Sequence, residues 1–303
     1  MAYLEIPLDK MYAGYQDSGA DIAFALQNQD NVNVITPKKC PDPKEDSGWC
    51  FPDDEDGILD AIAHGATHLW ANTILFASHP LQASPRLNKY QKELRIIGQP
   101  PALVDKFDDK EFTNNLLRAK GTFTMPQAWT VHLHRDPRSF LLEQKLPLPI
   151  VGKPIRGRGS HGVRVCYSFA ELYNHLQSLS QESPIVMLEQ YLSGEEATIT
   201  VMPPSKEKQG YWAMPVVTRF NHENGVAPYN GVVAVTANSR ALTQREAEED
   251  KRYGEAAKEC EEVAKLLQVT ASIRIDVRRL NGDPGAKFAL FDINMKPVGM
   301  PSA

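Results

Sequence analysis

Residues 151–165 read VGKPIRGRGSHGVRV, and the way the chain leaves Gly157, Gly159 and Gly162 decides the fold. The spacing is formally G-x-G-x-x-G, which in a dinucleotide-binding turn carries a strand into a helix whose N-terminus faces the pyrophosphate. The exit here is different. After Gly162 the chain runs VRVCYSF, β-branched and alternating, and a helix signal appears only at Ser168, followed by Glu171 as in a capping box. Strand, glycine loop, strand is a hairpin flap. The apolar run LPIVG leads into it and stops at Lys153, whose ammonium is placed to meet an anion enclosed by the loop amides. A Rossmann oxidoreductase has no use for that cation, so a flap over some other phosphate is the better reading.

Composition narrows the classes. A chain of 303 residues is long enough for about two to three domains, and 42% hydrophobic with 23% charged residues is a globular composition. A net charge of −5 disfavours a nucleic-acid surface and suits a small anionic ligand held by a few local cations. Cys40, Cys50, Cys166 and Cys260 have neither C-x-x-C nor zinc spacing and read as reduced thiols. The stretch MAYLEIPLDK has no basic or long apolar leader character, and nothing approaches the ~18 apolar residues of a membrane span. The expectation is a cytoplasmic protein with no membrane or nucleic-acid partner.

Upstream of residue 101, helix-like and strand-like runs alternate. SGADIAFALQNQ (18–29) and EDGILDAIAHG (55–65) have helical periodicity; NVNVITP (31–37), THLWANT (67–73) and LRIIGQP (94–100) read as strands. That order predicts a parallel sheet covered on both faces, with the Pro-rich, acidic stretch from Cys40 to Glu55 as a surface excursion. Downstream the pattern becomes a helical stretch in ALVDKFDDKEFTNNLLRAKG, a strand in WTVHLHR, the flap, the helix SFAELYNHLQSL and the strand PIVMLEQYL. The runs ATITVMP and YWAMPVVTRF are strand-like, and one long helix is expected between Thr243 and Gln268. Its stripe, Tyr253, Ala256, Ala257, Cys260, Val263, Ala264 and Leu267, has core-facing spacing. The domains expected are a Rossmann-like α/β one over 1–105, followed by an α+β part in two subdomains, 106–185 with the glycine flap and 186–303 with an acidic hairpin.

The stretch ASIRIDVRRLNGDPGAKFALFDINMKP (271–297) carries most of the chemistry. Two strands flanking a Gly- and Pro-containing turn make an antiparallel hairpin. Alternation puts Arg274 and Asp276 on one face of the first strand, and Asp292 and Asn294 on one face of the second, opposite Ala289, Phe291 and Ile293. If the polar faces meet, two carboxylates, an amide oxygen and a guanidinium converge. An all-oxygen set suits Mg²⁺, which takes one or two carboxylates alongside substrate phosphates. Acidic alternation on a solvated edge strand is the plain alternative. His132 and His134 share a strand face but have no third ligand, so they are left out of the site.

Taken in order, these residues resemble the ATP-grasp superfamily, and within it the D-alanyl-D-alanine ligase-like carboxylate:amine ligases. Lys110 and Lys153 match the family's two ATP-phosphate lysines, and Gly157, Gly159, Ser160 and Gly162 its flap. Glu189, Gln190, Tyr191 and Leu192 match the adenine hinge, and Glu196 the ribose-binding carboxylate. Asp276, Asp292 and Asn294 fall on its Mg²⁺ ligands, and Arg274 and Ser160 at its reacting centre; the family's usual glutamate is Asp292 here, and Met11 stands where it carries an ammonium-binding glutamate. The resemblance implies a ligase using ATP with two Mg²⁺ ions, or Mn²⁺, to join small-molecule carboxylate and amine substrates of the amino-acid class through an acyl phosphate, and allows a homodimer. In place of the family's tyrosine- and lysine-bearing substrate loop stands FNHENGVAPYNGVVAV, where Arg219, His222, Tyr229 and Asn230 are candidates for substrate contact. The competing reading is a catalytically silent ATP-binding protein with the same fold.

Overall fold

The computed structural model describes residues 8–73, 75–156, 160–227 and 237–295. Chain contacts divide them between a unit up to Lys106 and a unit of Phe107–Met295.

In the first unit, helix α1 (Leu8–Gln27) is followed by α2 (Glu55–Ala63), which starts where Asp54 turns extended and its carboxylate accepts from the Gly57 N–H at 2.8 Å. Strand β1 (His68–Trp70), helix α3 (Pro80–Ala83), strand β2 (Arg95–Ile97) and helix α4 (Pro101–Phe107) follow. β1 and β2 pair in parallel, as the alternation implies, from His68–Arg95 to Trp70–Ile97. Among the described residues the expected cover on both faces is not found: Trp70, Ile96 and Ile97 are exposed. Nor does NVNVITP form a strand. Residues 32–36 are irregular and Val32 is exposed, since a period-two pattern without a partner ladder leaves its backbone groups unpaired. The excursion from Cys40 to Glu55 is irregular as expected but anchored by buried Trp49, whose Nε1–H donates to the carbonyls of Asp42 and Glu45.

The second unit holds two sheets. Helix α5 (Lys110–Lys120), capped at Asp109, leads to strand β3 (Ala128–His132), helix α6 (Arg138–Glu143) and strand β4 (Ile150–Pro154). Strand β5 (Arg164–Cys166), helix α7 (Phe169–Leu179) and strand β6 (Ile185–Gln190) complete a four-stranded antiparallel sheet in the order β3-β6-β4-β5. The flap hairpin is there: Ile150 pairs with Cys166 and Gly152 with Arg164. Gly157 and Gly159 lie outside the described residues. Ser168 caps α7 by accepting from the Glu171 N–H, and Leu172, Leu176 and Leu179 pack the helix onto Ile150, Cys166, Val186 and Leu188.

The second sheet runs β10-β9-β7-β11-β12, from strands β7 (Glu196–Met202), β9 (Val217–Arg219), β10 (Ser239–Ala241), β11 (Ile273–Arg279) and β12 (Phe288–Asn294), with β8 (Trp212–Ala213) on β7. Behind it lie helices α8 (Gln244–Glu249) and α9 (Lys251–Leu267). The expected single helix is broken between them at Asp250, which turns extended, caps the Arg252 N–H and pairs with Arg279. The α9 stripe is buried as read, from Tyr253 to Leu267, with Ala257 at its margin, against Ile199, Val201, Ile273, Ile275 and Val277.

Candidate active site

The polar face of β11 and β12 is set by register. Arg274 lies opposite Asn294 and Asp276 opposite Asp292, so all four side chains share one side of the sheet. Alternation then fails by one residue: β12 bulges at Phe291, and Val277 pairs with Leu290 rather than Phe291. The expected apolar grouping of Ala289, Phe291 and Ile293 is therefore wrong, because Ala289 sits opposite Arg278 on the polar side. The bulge frees the Phe291 carbonyl, which accepts from Lys153 Nζ at 3.0 Å.

The two carboxylates differ in surroundings. Asp276 accepts from Thr198 Oγ1 at 2.7 Å and from Arg274 Nη2 at 3.2 Å. Burial pushes its carboxyl pKa up, more than the Arg274 charge draws it down, and the charge of Asp292 adds to the rise. For Asp292 burial also acts upward, but Lys110, Lys153 and Arg274 together outweigh it and hold the group below the usual carboxylate range. Asp292 Oδ1 is sealed from solvent and under-satisfied, its contact being the ion pair with Lys110 Nζ at 3.3 Å. Asn294 Nδ2 lies 3.3 Å from Asp276 and 3.4 Å from Asp292, so one amide touches both acids.

Lys153, at the end of β4, is buried and donates to Glu189 Oε2 at 2.8 Å. Glu189 is also buried, and desolvation raises its pKa against the opposing charges of Lys153 and Arg118. One row of α5 faces this cluster at helical spacing: Lys110 reaches Asp292, while Asn114 and Arg118 reach Glu189 Oε1 at 3.5 and 3.4 Å. The sequence reading missed Asn114 and Arg118. Their i+4 and i+8 spacing from Lys110 was legible, but what that row faces was not.

Gln190 is the last residue of β6, and beyond it the chain leaves the first sheet. Gln190 exchanges bonds with Gln127, Leu192 is buried, and the Tyr191 ring lies 5.1 Å from the Arg278 guanidinium. Glu196 then opens β7, buried, with His222 Nε2 at 2.9 Å and Arg278 Nη1 at 3.7 Å from its Oε2. Arg219 lies opposite Glu196 across the β7–β9 ladder. Arg278 was missed, although it continues the period-two face of Arg274 and Asp276. Tyr229 and Asn230 lie outside the described residues.

Ser160 is exposed in a left-handed turn, and among the described residues no contact joins its hydroxyl to the carboxylate cluster. Gly162 is also left-handed, and a Cβ there would stand 2.9 Å from Leu179. Thus Arg274, Asp276, Asp292, Asn294, Lys110, Lys153 and Glu189 converge, Glu196 forms a second polar group with His222 and Arg278, and Ser160 stands apart.

Among the described residues no three His, Cys, Asp or Glu gather as metal ligands. Asp276, Asp292 and Asn294 lie together and each carries an oxygen that can donate to a metal, and the under-satisfied Asp292 Oδ1 is suited to a hard cation with several waters. The residues therefore fit Mg²⁺.

Two antiparallel sheets, with a glycine flap on one and an acidic hairpin on the other, define the ATP-grasp class of fold. Residues 121–302 match the family described as D-ala D-ala ligase C-terminus, and the chain belongs to that family. A D-alanine--D-alanine ligase of Bacillus anthracis (strain CDC 684 / NRRL 3495) is 25% identical over 176 residues, covering 58% of this chain and 54% of that protein. D-alanine--D-alanine ligase A of Bacillus cereus is 24% identical over the same shares. The chain thus spans about half the length of the curated relatives it matches. In fold it is similar to the crystal structure of the Bacillus anthracis ligase complexed with ATP, with TM-score 0.55 and 18% identity over 79% of this chain and 72% of that one. The VanG D-Ala:D-Ser ligase of Enterococcus faecalis is similar at TM-score 0.54 and 16% identity, over 68% and 57% of the two chains.

Proposed function

We propose that the protein is an ATP-dependent carboxylate:amine ligase forming an amide bond through an acyl phosphate, with amino acids as the substrate class. The observation that carries this reading is the convergence of Asp276, Asp292 and Asn294 with Lys110, Lys153 and Arg274 on one buried polar face. Such a face holds a triphosphate by its lysines and a hard cation by its oxygens.

In this reading the carboxylate of one substrate attacks the γ-phosphorus, ADP leaves, and the amine of the second substrate displaces phosphate from the acyl carbon. Lys110 and Lys153 bind phosphate oxygens, Arg274 offsets negative charge growing at the reacting centre, and the turn at Gly157, Gly159, Ser160 and Gly162 covers the phosphates with its amides. Ser160, which stands apart from the carboxylate cluster in the structure, is assigned to the reacting centre in this reading only as part of the turn that covers the phosphates. Glu189 to Leu192 line the adenine, and Glu196 accepts from the ribose hydroxyls. Asp276, Asp292 and Asn294 would hold Mg²⁺, two ions or Mn²⁺ in their place, which when bound polarises phosphoryl oxygens and neutralises their charge.

The domains read as 1–105, 106–185 and 186–303, working in the cytoplasm, as a homodimer, without nucleic-acid or membrane partners; no helix among the described residues is long and apolar enough to cross a membrane. The test is ADP release over a panel of amino and hydroxy acids, offered singly and in pairs. Release that depends on a pair is expected of a ligase; tight ATP binding with no substrate-dependent ADP contradicts catalysis and leaves a silent binder.

A further inference from the structure

Resting on the reading that Glu196 meets the nucleotide's sugar, we propose that Arg278 is the positioning residue of that end of the site and sets its preference for a ribose that carries hydroxyls. Arg278 lies directly across the β11–β7 ladder from Glu196, on the face that also carries Arg274 and Asp276. Its side chain is 12% exposed, and four groups surround the guanidinium. Nε donates to the Gly194 carbonyl at 3.0 Å, Nη1 to the Gly225 carbonyl at 2.8 Å, and Nη2 to the Tyr191 hydroxyl at 3.4 Å. Nη1 also lies 3.7 Å from Glu196 Oε2.

These partners come from separate pieces of chain. Tyr191 and Gly194 belong to the hinge between the two sheets, Glu196 begins β7, and Gly225 lies in the loop after β9 that also delivers His222. Gly225 is fixed closely: its φ is +80°, and a Cβ there would stand 3.0 Å from the Tyr191 hydroxyl and 3.1 Å from Val165 of the flap hairpin. One planar fork with five donors thus fixes hinge, carboxylate and loop together, which the single point of a lysine ammonium does not reproduce. Arg278 also offsets the cost of burying the Glu196 carboxylate. Among the described residues both of these partners of Glu196 fall on Oε2. A charged acceptor held in one orientation discriminates strongly for hydroxyl donors.

The experiment is calorimetry of ATP and 2′,3′-dideoxy-ATP with wild type, Arg278→Lys, Arg278→Gln, Glu196→Gln and the double variant Glu196→Gln with Arg278→Lys, each checked by thermal unfolding. Wild type should prefer ATP, and Arg278→Gln should cut that preference by about tenfold, the worth of one hydrogen bond to a charged group, while dideoxy-ATP affinity moves by less than about threefold. In the Glu196→Gln background Arg278→Lys should change the preference no further, because its effect passes through Glu196. Equal weakening of both nucleotides, or a preference that no Arg278 substitution alters, would overturn the role of Arg278 and leave the nucleotide reading standing. Wild type that binds no ATP overturns both. If Arg278→Gln does not fold, Arg278→Lys, which keeps the cation and loses the fork, decides the same question.

Discussion

At the scale of single residues, the site is a set of buried charges that compensate one another. Among the described residues Lys153 and Glu189 are the most enclosed ion pair, with side chains 5% and 4% exposed. Removing one member leaves the other charged and desolvated, which costs more than the pair itself contributes. Lys153→Met should therefore lower stability by about 3 kcal/mol, with Arg118 limiting the loss, and adding Glu189→Gln should restore more than half of it. Denaturant unfolding of the two variants measures this, and a double variant no more stable than Lys153→Met would contradict the pairing. The face of Arg274, Asp276, Asp292 and Asn294 was legible in the sequence because strand alternation is local, so side chains two residues apart share a face whatever packs against them. Arg118 and Asn114 were not, since their meaning depends on a β-strand end some seventy residues away.

At the scale of elements, the flap hairpin is held at its base by a side chain that no motif marks. His175, buried on α7, places Nε2 at 3.3 Å from the Gly152 carbonyl and 3.1 Å from the Gly162 carbonyl, joining both arms of the hairpin. Burial lowers its pKa, against the pull of those two carbonyls. Gly152 makes room for the ring: a Cβ there would stand 2.9 Å from His175 Cδ2. Gly152→Ala should destabilise by about 1–3 kcal/mol through overpacking, and combining it with His175→Ala should cost less than the sum of the two single changes, since the methyl then enters space the ring has left. Strict additivity in unfolding midpoints would contradict that contact. The elements that sequence patterns identified are those stabilised locally, such as the hairpin and the capped helix α7. Those misread depend on partners: NVNVITP lacks a ladder, Asp250 breaks a helix to meet Arg279, and the β12 bulge answers to Lys153 rather than to any local signal.

At the scale of the whole molecule, every described residue assigned to nucleotide, metal or reacting centre, from Lys110 to Asn294, falls within the unit Phe107–Met295. The family match covers nearly the same stretch, 121–302, so site and family membership rest on one part of the chain. The central claim is that a carboxylate is activated by phosphorylation there. When the amine displaces phosphate from an acyl phosphate, the carbon–oxygen bond breaks and one oxygen of the original carboxylate leaves with the phosphorus. The most direct measurement supplies a carboxylate substrate labelled with heavy oxygen, together with ATP, Mg²⁺ and an amine in ordinary water, and reads the released phosphate by mass spectrometry. The account predicts one heavy oxygen per phosphate, formed in step with amide; phosphate free of heavy oxygen, its fourth oxygen taken from water, at any rate of ADP release, would contradict it.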